Sequence, residues 1–144
     1  MWKELVRGIN PGWTPLPPAS PKELADLEKA LGIRLPDDLS SLLLETDGVV
    51  GEYGLGVVWP ARRIRDDNLR FRSYPGFADT YMPFDPLLFF ADAGNGDQFA
   101  FRILAGVVRY SDVYVWDHES DNRTWAAPNL RIYLEWRGTG RIGV

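Results

Sequence analysis

The sequence predicts one α+β domain: a mainly antiparallel, twisted β-sheet of about five to six strands, with helices at both chain ends packed against it and covering one of its sides. Three observations carry this. Apolar residues recur at helical spacing near both ends of the chain, an Asn-Gly turn joins two apolar runs between them, and further short runs rich in β-branched and aromatic residues follow. At 144 residues the chain is long enough to bury a core without covalent staples.

The elements follow in order. Trp2, Leu5, Val6 and Ile9 share one face of a short helix that Asn10-Pro11-Gly12 stops. Five Pro between Pro11 and Pro21 then predict an extended crossing that connects without folding further. Ser20-Pro21-Lys22-Glu23 is a capping box with Pro at the first helical position, and Leu24, Leu27 and Leu31 form the buried face up to Gly32. Asp37 and Asp38 open a helix carrying Leu39, Leu42 and Leu43, ended by Asp47-Gly48. Leu55 to Trp59 reads as a strand closed by Pro60, and Ile64, Asn68 and Phe71 mark the inner face of a helix over Ala61 to Arg72. Ser73 to Pro86, with its Pro and Gly, reads as loop. Leu87 to Asp92 and Asp97 to Ile103 flank Gly94-Asn95-Gly96, a hairpin signal. Val107 to Tyr110, Asp112 to Asp117 and Asn122 to Ala127 are further strands, and Leu130, Tyr133, Leu134 and Arg137 a last helix ending at Gly138. The expected division is a helix and Pro-rich crossing over 1–19, a core over 20–138 and a flexible tail over 139–144.

Composition excludes several functions. Without Cys there are no disulfides and no thiolate metal sites, and the single His118 removes any site that needs two imidazoles. Twenty acidic against 16 basic side chains give a net charge of −4, the wrong sign for a dedicated nucleic-acid binder. No apolar run approaches the roughly 20 residues of a membrane span, and the charged start Met1-Trp2-Lys3-Glu4 is unlike a signal peptide, so the expectation is a cytoplasmic protein.

The chemical motifs are weak when read singly. Gly138-Thr139-Gly140-Arg141-Ile142-Gly143 spells a dinucleotide fingerprint but precedes no helix. Asp92 to Asp97 invites calcium, yet Gly94, Gly96 and Ile103 stand where an EF-hand needs oxygen ligands. His118 lies among Asp117, Glu119 and Asp121, but alternation along a strand lets at most one of Asp117 and Glu119 orient the ring, and neither a nucleophile elbow nor a Cys accompanies it. Asn122-Arg123-Thr124 is a chance sequon, and the Arg-rich stretch from Arg62 to Arg72 reads as a solvated helix face. No catalytic residue, cofactor or metal is expected.

One regional bias stands out. From Asp85 to Asp121 there are seven acidic residues against Arg102 and Arg109, a local charge of −5. Asp85, Asp92, Asp97, Asp112, Asp117, Glu119 and Asp121, with His118 and the aromatics Tyr110, Tyr114 and Trp116, would form a partner-binding rim if they gathered on one side of the sheet. The same acids also read as solubilising turn residues.

The order of these features resembles the SUKH superfamily, which includes fungal cell-wall assembly regulators and bacterial immunity proteins. The resemblance runs from the capped helix ending Leu31-Gly32 through Leu35-Pro36-Asp37-Asp38-Leu39, Asp47-Gly48, Val58-Trp59-Pro60, Gly94-Asn95-Gly96-Asp97 and Val115-Trp116-Asp117-His118-Glu119 to the helix around Leu130-Tyr133-Leu134. It implies a non-enzymatic protein-binding domain. The expected partner is a cognate toxin, for which a nuclease is a candidate, held by the Asp85 to Asp121 region acting as a phosphate mimic. The alternative it implies is a regulatory or scaffolding domain for an endogenous partner.

Overall fold

Helical spacing becomes helix at each expected place in the computed structural model, which describes residues 1–108 and 110–142. The helices are α1 (Trp2–Ile9), α2 (Pro21–Leu31), α3 (Asp37–Glu45), α4 (Ala61–Ser73) and, last in the chain, α6 (Leu130–Gly138). The capping box forms as read, Glu23 N–H donating to Ser20 Oγ at 3.1 Å and Ser20 N–H to Glu23 Oε1 at 3.2 Å, and Gly32 closes α2 at φ 64°. The stretch read as loop contains one further turn of helix, α5 (Pro75–Ala78), too short to carry a period.

Among the described residues seven short strands stand where about five to six were expected, arranged as two antiparallel sheets. β1 (Thr14–Pro15), β2 (Val49–Val50) and β3 (Gly56–Val58) form the first; β4 (Leu87–Asp92), β5 (Gln98–Arg102), β6 (Val113–Trp116) and β7 (Arg123–Ala127) form the second, each in sequential order. The sheets meet edge to edge, where Trp59 N–H donates to the Phe90 carbonyl at 2.7 Å. The Pro-rich crossing is therefore more than a connector. It contributes β1, and the carbonyls of Leu16 and Gly48 converge on the buried Thr46 hydroxyl at 2.7 and 2.9 Å. The strand expected over Val107 to Tyr110 is absent among the described residues. Ala105 and Gly106, at φ 51° and 75°, turn the chain so tightly that Leu104 and Val107 make only an isolated bridge, and Arg109 lies outside the described residues.

Helices cover both faces of the second sheet, not one. Residues 87–91 are all buried, so β4 is apolar at odd and even positions alike and both sides must be covered. Phe89 meets Phe71 of α4 at 5.0 Å on one side, while Phe90 meets Tyr133 of α6 at 5.2 Å on the other. The Tyr133 hydroxyl donates to the Val57 carbonyl and accepts from Arg137, each at 2.7 Å, and burial pushes its pKa up to about 12. α1 crosses α6 where Gly138 leaves room for the Ile9 side chain, which any Cβ would strike. Beyond α6, the Arg141 and Ile142 amides donate to the Trp136 carbonyl and Ile142 packs on the core; Gly143 and Val144, the end of the expected tail and of the Gly-rich motif, lie outside the described residues.

Asn68 ties α4 to the sheet. It is 1% exposed in the middle of the helix, and its amide nitrogen donates to the Phe89 carbonyl at 2.9 Å while its oxygen accepts the Phe89 N–H at 2.9 Å. The amide thus stands in for a neighbouring strand beside the β-bulge at Phe89/Ala91. Asn68→Leu leaves both backbone groups buried without a partner, and a loss of about 2–4 kcal/mol in unfolding free energy is expected by denaturant titration.

Candidate functional site

The antiparallel order brings three turns to one end of the sheets. β5 pairs with β6 so that Gln98 faces Trp116, which sets the β4–β5 turn (93–97) beside the β6–β7 turn (117–122). The β2–β3 turn (51–55) joins them because Gly56 N–H donates to Asp92 Oδ2 at 3.1 Å.

His118 is the centre of this rim. Its ring Nδ1 lies 2.6 Å from Asp97 Oδ1, which also accepts the His118 backbone N–H at 3.0 Å. Gly96, at φ 95°, lies flat against the ring, where a Cβ would come within 2.8 Å of it. Tyr81 donates from its hydroxyl to the His118 carbonyl at 2.7 Å, so one residue links both hairpin turns and the loop after α5. The partner of the imidazole is Asp97, 21 positions away, instead of either adjacent acid.

The Asp97 hydrogen bond raises the His118 pKa above 6.5, more than its partial desolvation lowers it, with the charges of Asp97, Glu119 and Asp117 adding in the same direction. Desolvation works against ionisation of Asp97, but the His118 ring and backbone N–H outweigh it and hold its carboxyl below 3.8. Asp117 closes its own turn, its Oδ1 accepting the Glu119 and Ser120 amides at 2.8 and 3.3 Å. Ligand atoms of Asp97, Asp117 and His118 lie within 4.8 Å of one another, but a cation there would have to displace the ring from Asp97 and compete with the turn amides. Among the described residues no hydroxyl hydrogen-bonds to the His118 ring, whose partner is Asp97.

The expected partner-binding residues divide. Asp97, Asp117, His118 and Glu119 share the rim. Asp92 and Asp121 reach it too, but with their carboxylates engaged inward. Asp92 receives a bidentate Arg63 at 2.8 and 2.9 Å, and Asp121 receives Trp116 Nε1 at 2.8 Å, Met82 N–H at 2.9 Å and Arg123 at 3.3 Å. Trp116 is 3% exposed within a ring cluster of Phe71, Phe84 and Phe89, which removes it from any contact surface. Tyr114 is half-buried in mid-strand. Asp85, Tyr110 and Asp112 precede β4 and β6 and therefore lie at the opposite end, where Asp112 accepts the Trp125 indole N–H at 3.0 Å.

Two residues join the rim that the acidic-run reading omitted, because they lie outside Asp85 to Asp121. Glu52 is exposed, and Tyr53 is fully exposed at φ 57°, a left-handed backbone that costs a bulky residue energy and holds the ring out in solvent. The signal available in the sequence was an aromatic enclosed by Gly51 and Gly54 in a tight turn. Among the described residues Glu52, Asp117 and Glu119 have no basic side chain within 4.0 Å, so the outward charge of the rim is negative.

The single imidazole makes the latch measurable. Because the folded pKa of His118 is raised and that of Asp97 lowered, this latch contributes stability in full between about pH 3.8 and 6.5 and loses it as pH rises through the folded His118 value or falls through the folded Asp97 value. In an NMR titration the His118 ring is expected to titrate above 6.5 and to return toward that value in Asp97→Asn. His118→Gln is expected to flatten the dependence of the denaturation midpoint on pH above 6.5.

Against known proteins, a family model, SUKH_6, described as SMI1-KNR4 cell-wall, matches residues 21–134, from the start of α2 into α6. No curated protein matches the chain. Among the described residues no helix is long and apolar enough to cross a membrane. The match covers most of the chain and supports a protein-interaction domain at the family level; the chain belongs to the SUKH family described as SMI1-KNR4 cell-wall.

Proposed function

We propose that this is a non-catalytic interaction domain in the cytoplasm that acts as an immunity protein, binding a basic cognate toxin of nuclease type through the acidic turn rim. The observation that supports the reading is that Glu52 and Glu119 are exposed on turns at the same end of the sheets as the exposed Tyr53, while Asp92 and Asp121 there are already matched by Arg63 and Arg123. An outward field of one sign steers a basic partner, and an exposed aromatic ring supplies anchoring area. The description of the matched family, SMI1-KNR4 cell-wall, favours a second reading, a regulatory or scaffolding domain for an endogenous wall-associated protein.

A pull-down from the source cell with the tagged chain, washed at low and then high salt, separates the two. A basic nuclease retained at low salt and shed at high salt supports immunity, and an endogenous wall or signalling protein supports scaffolding. With the purified partner, the Glu52→Lys and Glu119→Lys double variant is expected to weaken binding about tenfold, mainly through slower association. Both side chains are exposed, so folding should be unchanged. Unchanged affinity in that variant would show that the rim is not the contact surface.

A further inference from the structure

The geometry points to a second part of the same interface: an aromatic groove beside the rim that receives one apolar anchor side chain flanked by Lys or Arg on the partner. The inference rests on the acidic-rim reading above. Between the end of α4 and the start of β4 lies a cavity of about 280 Å³. Buried Phe71 and Phe84 form its floor and half-buried Phe77 and Tyr81 its walls. Tyr74 and Met82, 55% and 59% exposed, form its lips. Rings presented edge-to-face, as Phe77 and Tyr81 are at 5.7 Å, with a thioether at the mouth, make a surface suited to a large apolar side chain.

Charge around the mouth decides what accompanies that anchor. Two charged side chains line the groove: Arg72, whose guanidinium is turned inward onto the carbonyls of Leu31 and Leu87, and the exposed Asp85; Arg123, which does not line it, donates to the carbonyls of Met82 and Pro83 and to Asp121. Arg70 does not line the cavity; its guanidinium lies 4.0 Å from Asp67 and 5.4 Å from the centre of the Phe71 ring. Asp79 and Asp85 stand exposed. The groove is also continuous with the rim, since Met82 N–H donates to Asp121 and the Tyr81 hydroxyl to the His118 carbonyl. An anchor seated here would bring its basic neighbours toward acids on both sides.

Three blocked tripeptides, Lys-Trp-Lys, Lys-Ala-Lys and Glu-Trp-Glu, test this by chemical-shift mapping on the full chain. Lys-Trp-Lys is expected to shift Tyr74, Phe77, Tyr81 and Met82 and to bind about tenfold more tightly than either other peptide. The Tyr74→Ser and Met82→Ser double variant, altered only at exposed positions, should keep its denaturation midpoint and lose that advantage. Shifts confined to 52–54 and 117–121 with both basic peptides would overturn the groove and leave the rim reading standing. Equal binding of Glu-Trp-Glu in the groove would overturn the basic flanks and count against the rim as well. An absence of shifts with all three would overturn the groove.

Discussion

The amide of Asn68 is the contact on which the arrangement depends. β4 is the edge strand of the second sheet, and beside its bulge the outward N–H and carbonyl of Phe89, which pairs with Ala100 on the other side, are met by a helix side chain instead of by another strand. Once α4 is fixed in that way, Arg63 one turn earlier comes within reach of Asp92 and lies over the Trp59 ring at 4.2 Å, while Phe71 enters the ring cluster with Phe89 and Trp116. α4 is thereby tied to the end of β4, to the residue after β3 and to the floor of the aromatic groove. An apolar residue in place of Asn68 would keep the helix amphipathic and leave the sheet with two unsatisfied groups, which is why a polar residue occupies so deep a position.

The helices other than α5 were legible because each carried two independent signals, an apolar period and a boundary residue. Ser20 with Glu23, and Asn129, whose side chain accepts the Ile132 amide at 2.8 Å, are local in sequence and local in structure. The two-residue strands β1 and β2 offered no period, and their pairing is decided by contacts across more than thirty residues, Thr14 with Val50 and Pro15 with Val49. Val107 and Val108 had strand composition, but the positive φ at Ala105 and Gly106 turned the chain away from the sheet. The burial of β4 on both faces was visible as an unbroken apolar run, and it contradicted a sheet covered on one side.

The acidic segment shows the limit of reading charge along a chain. Its seven acids are close in sequence, yet the sheet sends Asp85 and Asp112 to one end and Asp97, Asp117, Glu119 and Asp121 to the other, because successive strands run in opposite directions. Composition also could not separate acids that hold the fold from acids that face solvent. Desolvation opposes ionisation of Asp121, but the Met82 amide, the Trp116 indole and Arg123 together keep its carboxyl below 3.8, so its charge is committed to the turn. Asp97 was legible as a turn residue and not as the partner of His118, since that pairing follows only from the register of β5 against β6.

What remains outward at the rim is a small set of carboxylates and one strained, fully exposed tyrosine, carried on turns that inward-facing ion pairs and the His118 latch hold in place. Hydrogen–deuterium exchange of the full chain, free and bound to a partner recovered from the source cell, tests this placement most directly. Protection on binding is expected at 51–55, 93–97 and 117–122. Protection confined to the opposite end, around 102–108 and 110–112, would contradict it.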